Sequence, residues 1–240
     1  MKAIAKRQSR ETQDVSFQKS LGLALNESLF VAPGGEVRYT GNIVEVGPQL
    51  INDLNVSIQY RFDIASRSVR AIYVFNNPSS TTVTADARIN IGGFGGDPTI
   101  QIASNGSAAL QSSTRWFETV GSDQQNPEGD SVLFVAYGKH WAQFQNETMI
   151  RTQSENGLHI DYVMSYPLTV PAHQTVGIMV FAQVNNAALD QGAVDSTYDS
   201  LATLSAANLL EDLPIPAAYI TNWSNAEKIS IALSSRRDPN

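Results

Sequence analysis

Val56, Ile58, Tyr60, Phe62 and Ile64 alternate with polar neighbours, so every second side chain falls on one side of the backbone. An extended strand can bury such a row, because its successive side chains point to opposite faces, whereas a helix repeats at about 3.6 residues. The same period returns in Val83, Ala85, Ala87 and Ile89, in Leu158, Ile160, Tyr162 and Met164, and in Val176, Ile178, Val180, Ala182 and Val184. Val69 to Phe75 and Val132 to Tyr137 are nearly continuous apolar runs and read as buried strands. Residues 99–103, 107–111 and 114–120 read as shorter ones. Asn76-Asn77-Pro78-Ser79 and Val170-Pro171-Ala172-His173-Gln174 supply turns between strands. Strands joined by turns, with no helix until late, predict an all-β fold: an antiparallel β-sandwich, or a supersandwich as its larger form, with a short C-terminal helical segment.

The chain divides by character. Residues 1–13 form a basic arm carrying Lys2, Lys6, Arg7 and Arg10, and residues 14–186 carry the sandwich pattern. Residues 187–224 turn to helical spacing (Leu201, Leu204, Leu209), restart at Pro214 and Pro216, and carry Tyr219, Ile220 and Trp223. This tail is expected to pack across an open end or edge of the sandwich in the same domain, where strand groups need cover. Residues 225–240 form a C-terminal extension.

Composition narrows the function classes. Charged residues make up 16% of the chain, below the usual quarter, and Ser, Thr, Asn, Gln and Gly fill the deficit. With no cysteine, disulfides, thiolate metal sites and cysteine nucleophiles are excluded. A net charge of −7 disfavours nucleic acid as a partner, except through the basic arm. No run of eighteen apolar residues occurs, so no membrane-spanning helix is expected. The first residues lack the apolar run of a signal peptide, yet the composition suits an extracellular or cell-surface protein.

Familiar catalytic signatures are missing: no Gly-x-Ser-x-Gly, no phosphate-binding Gly-x-x-x-x-Gly-Lys, no His-Glu-x-x-His. The glycines of 92–96 follow a strand and read as a turn. His140, His159 and His173 are scattered without ligand spacing. Asp123, Glu128 and Asp130, in an acidic loop at 121–130, are the candidate metal ligands, since hard carboxylate oxygens suit calcium. Trp116 and Phe117 just before that loop, with Trp141, are the candidate ligand-binding residues, because sugars stack on flat aromatic faces. No residue is assigned a catalytic role. Sequons at Asn26, Asn55, Asn105, Asn146 and Asn222 are what chance supplies in so Asn- and Ser-rich a chain.

One ordered series stands out: Ile58-Gln59-Tyr60-Arg61-Phe62, then Arg115-Trp116-Phe117 before the acidic loop, then Leu168-Thr169-Val170-Pro171-Ala172, then Ile220-Thr221-Asn222-Trp223. Over residues 54–224 it resembles a β-sandwich module of bacterial surface or secreted proteins, of largely uncharacterised function. That resemblance implies an extracellular binding or architectural role and no catalytic residues. The chain departs from it in lacking an export signal, and in placing His173 where such turns use glycine.

The leading expectation is a non-enzymatic structural or interaction protein of a surface or particle, working through self-association or a protein partner; a virion subunit is one form of it. A carbohydrate-binding module accessory to glycan degradation is the alternative, and a sandwich-fold enzyme acting on glycans stands behind it.

Overall fold

The computed structural model describes residues 21–31, 37–92, 99–106, 110, 114–120, 131–138, 149–153, 160–186, 189–202 and 212–223. It is a sandwich of two antiparallel sheets, as the period-two pattern requires. Its strands are β1 (Gly22–Leu25), β2 (Ser28–Leu29), β3 (Val37–Thr40), β4 (Ile43–Ile51), β5 (Leu54–Asp63), β6 (Ser68–Asn76) and β7 (Val83–Gly92). They continue with β8 (Thr99–Ala103), β9 (Trp116–Val120), β10 (Ser131–Val135), β11 (Met149–Gln153), β12 (Ile160–Val170) and β13 (Thr175–Asn185). One sheet has five strands in the order β11-β12-β7-β1-β2, the other eight in the order β3-β4-β5-β6-β13-β10-β9-β8.

Between the sheets lies the larger core. Val56, Ile58, Ala71, Tyr73, Phe75, Phe134 and Val180 face Leu23, Leu25, Ile89, Tyr162, Met164 and Leu168. The hydroxyls of Tyr73 and Tyr60 both donate to the Leu21 carbonyl, at 2.7 and 3.3 Å, and fix where β1 enters. Burial pushes both phenols up, so they remain neutral donors. Ile64, expected on the apolar face of β5, is 88% exposed. The strand ends at Asp63, whose carboxylate accepts from the Ala65 amide and the Ser66 hydroxyl, and the turn so formed rotates Ile64 outward.

Among the described residues the helical tail is α1 (Gln191–Ala202) and a 3-10 turn at Ala217–Tyr219. Asp190 caps α1, its carboxylate accepting from the Ala193 amide at 2.8 Å. The tail lies over the outer face of the eight-stranded sheet and covers an open strand edge within it. Val194, Tyr198, Ile215, Ala217, Ile220 and Trp223 bury Ile72, Leu133, Val135, Met179 and Phe181 there. The cause is visible in the ladder. β6 pairs with β13 from Thr175 to Gln183, but β10 reaches only Phe181 to Asn185. One side of residues 177–179 is therefore left without a strand neighbour, and the tail takes that place. Thr221 donates to the Gly177 carbonyl, and the Asn222 side chain both accepts from the Met179 amide and donates to its carbonyl. Trp223 Nε1 donates to the same carbonyl at 3.0 Å. A Cβ on Gly177 would stand 2.5 Å from Ile215 Cδ1, so glycine lets the tail lie close.

Among the crossovers between the sheets, β6 to β7 and β12 to β13 are tied together by Asn77. Its fully buried amide donates to the carbonyls of Thr81, Val170 and Pro171 at 2.8, 3.0 and 3.2 Å. Its backbone amide donates to the Gln174 carbonyl, and its side-chain oxygen accepts from Ser79. His173, in the same corner, has φ +56°, the left-handed conformation in which glycine is the easy residue. Asn77→Ala leaves buried carbonyls without donors and is expected to cost about 2–4 kcal/mol, read as a lower urea midpoint at unchanged slope.

Candidate functional site

The two outer faces differ. On the eight-stranded sheet the centre of the face is covered by the tail, and the buried polar groups beside it are structural. Arg61 and Arg70 stand directly opposite on β5 and β6. Arg61 meets the Asp212 carboxylate at 2.5 Å, while Arg70 donates to Gln59, whose own amide donates to Glu45. Burial first, then the neighbouring Arg61 charge, presses the Arg70 guanidinium down to about 9, and Asp212 opposes this. Arg70 is fully buried, and this network anchors the start of the segment that carries Trp223.

On the five-stranded sheet the outer face is lined by half-buried and exposed side chains. Strand β7, which pairs with both β1 and β12, turns Ala87 and Ile89 inward and Thr84, Asp86, Arg88 and Asn90 outward. Arg88 Nε donates to Asp86 Oδ2 at 2.8 Å, and the Ser165 hydroxyl of β12 donates to Asp86 Oδ1. Glu27 Oε1 lies 3.6 Å from Arg88 Nη1. Asn26 accepts from the Asp86 amide and donates to its carbonyl, so the backbone of Asp86 faces the β1–β2 turn. Pro167, directly opposite Asp86 on β12, therefore sits in a non-hydrogen-bonded pair. Its missing N–H faces away from β7 and costs that ladder nothing, which is why a proline is tolerated inside this strand. The result is a shallow platform: an ion pair locked by a hydroxyl, flanked by exposed Pro167 and Thr169 and half-buried Val163. Asp86 and Arg88 remain 34% and 40% exposed.

The residues singled out in the sequence fare differently. Trp116 and Phe117 are both buried, on opposite faces of β9. Trp116 packs under α1, 6.4 Å from Tyr198, whereas Phe117 points between the sheets, 5.3 Å from Phe134 and 5.6 Å from Tyr162. Neither offers a ring to a ligand, because alternation on a strand covered on both faces sends both into core. Trp141, Asp123, Glu128 and Asp130 lie outside the described residues, as do His140 and His159. Among the described residues no three His, Asp or Glu side chains are grouped to hold a metal, and no helix is long and apolar enough to cross a membrane. The Asp86–Arg88 row was missed in the sequence, although Asp and Arg two apart on the polar side of an alternating strand are its signal.

No family model and no curated protein matches the chain. Solved structures with partial likeness include a candidate kojibiose phosphorylase from the human microbiome, 7% identical over 89% of this chain and 26% of that one, with a TM-score of 0.47. An alpha-galactosidase from Lactobacillus brevis is 9% identical over 74% of this chain and 28% of that one, with a TM-score of 0.44. A heparan sulfate lyase mutant from Pedobacter heparinus is 11% identical over 78% and 27%, with a TM-score of 0.43. The chain thus spans about a quarter of the length of each. At such identities and TM-scores these likenesses carry no inference about what this chain does.

Trp116→Ala is expected to cost about 3–5 kcal/mol of unfolding free energy, the range for a truncated core aromatic. A surface platform residue would leave the urea midpoint unmoved.

Proposed function

We propose that the chain is a carbohydrate-binding sandwich that takes sugar on the outer face of its five-stranded sheet. The observation that carries this is the fixed, half-exposed Asp86–Arg88–Ser165 network on β7 and β12. A sugar hydroxyl both donates and accepts, and a carboxylate beside a guanidinium supplies both partners within one hydroxyl's reach. These side chains are already ordered by each other, so little conformational freedom is lost on binding. Pro167 and Val163 add apolar surface for the C–H face of a pyranose. With no described aromatic on the platform, affinity is modest. At about 0.3 kcal/mol per heavy atom, a hexose of roughly a dozen atoms binds with a Kd on the order of 1 mM. Titration calorimetry against a panel of oligosaccharides tests this. Arg88→Ala and Asp86→Ala are each expected to weaken binding about tenfold, the loss of a charge-assisted hydrogen bond, with an unchanged circular dichroism spectrum. Full affinity in both variants, or no oligosaccharide bound by the parent, sinks the reading.

Self-association is the second reading, and a separate feature favours it. β3 is the edge of the eight-stranded sheet, and Tyr39 on it is 76% exposed beside its cross-strand partner Val44. An edge strand with exposed apolar side chains is a template for pairing with another chain. Light scattering is expected to show a mass that rises with protein concentration, and Tyr39→Lys is expected to abolish the rise. A mass that stays monomeric throughout removes this reading and leaves the sugar-binding one standing.

A further inference from the structure

We infer that this face selects neutral and amine-bearing glycans over uronate or sulfated ones, and that Glu27 is the residue that sets the preference. The inference rests on the sugar-binding reading and deepens it. Among the described side chains of the face, Arg88 carries the one positive charge, while Asp86 and Glu27 carry two negative ones. An arginine alone on a sugar platform would draw acidic glycans; here its charge is outnumbered, and its Nε is committed to Asp86. Asp86 is bound on both oxygens and belongs to the platform itself. Glu27 is the adjustable part, 81% exposed and 3.6 Å from Arg88.

Its backbone makes the placement more telling. Asn26 and Glu27 form the two-residue turn between Leu25 and Ser28, with φ of +46° and +70°. Turns of this kind favour glycine at the second position, where a side chain is strained. A glutamate there works against the turn and holds a carboxylate beside Arg88. Removing it should relax the fold and change the selectivity, and a merely structural residue could not do both.

The test titrates the intact chain with three oligosaccharides of equal length at low and high salt: a neutral glucose oligomer, a glucosamine oligomer and a galacturonate oligomer. The glucosamine oligomer is expected to bind tightest and the galacturonate oligomer weakest, with steps of roughly five-fold that shrink at high salt. Glu27→Gly should keep or raise the Tm and bring galacturonate affinity to within about two-fold of the neutral oligomer. Glu27→Gln, which keeps the side chain without its charge, should do the same to selectivity should the glycine variant fold poorly. Galacturonate binding best to the parent chain, or both variants keeping its order and spread, overturns the inference while leaving sugar binding intact. Binding of none of the three overturns the sugar-binding reading, and this inference with it.

Discussion

The sandwich hangs on the place where its two sheets exchange strands. A sheet face holds itself together through its ladder, but nothing in a ladder sets how one sheet lies over the other. That relation is fixed where the chain crosses between them, and two of those crossovers meet at Asn77. A carboxamide suits the task because it donates and accepts at once in a buried corner where several backbone carbonyls would otherwise go unmet. Around it the inter-sheet core can pack, since Phe75, Val170 and Ile178 stand close to the same corner.

From that alignment follows the unequal fate of the two outer faces. The eight-stranded sheet is apolar on both sides at its centre, so Ile72, Leu133, Met179 and Phe181 demand cover, and the tail supplies it. The five-stranded sheet is apolar on one side, and its other side can afford charge. Asp86 and Arg88 stand two apart on a strand held on both flanks, where backbone geometry fixes their separation more firmly than a loop could.

Much of this was legible in the sequence, and its failures have physical causes. Alternation in 56–62, 83–89 and 176–184 marked real strands, and the turn at 76–79 was readable from its Asn and Pro. That Asn77 would reach the carbonyl of Val170, 93 residues away, was not, because nothing local records a contact made by topology. Ile64 fit the period but fell one residue past the strand end, where a side-chain-capped turn overrides alternation. Trp116 and Phe117 read as a ligand-binding pair because an acidic loop follows them, but a strand with two buried faces hides adjacent aromatics equally well.

The way β13 is completed bears on how the chain must be made. On the side away from β6 its residues 177–179 lack a neighbour until Thr221, Asn222 and Trp223 arrive, and Asn222 is separated from Met179 by 43 positions. While a ribosome is still synthesising that stretch, the centre of the larger sheet presents an unfinished seam lined by Met179 and Phe181. Such a seam invites the wrong strand. Assembly of this sheet is therefore expected to finish from its C-terminal side, with the later-made turn acting as the closing stitch of a sheet whose other strands were already in hand.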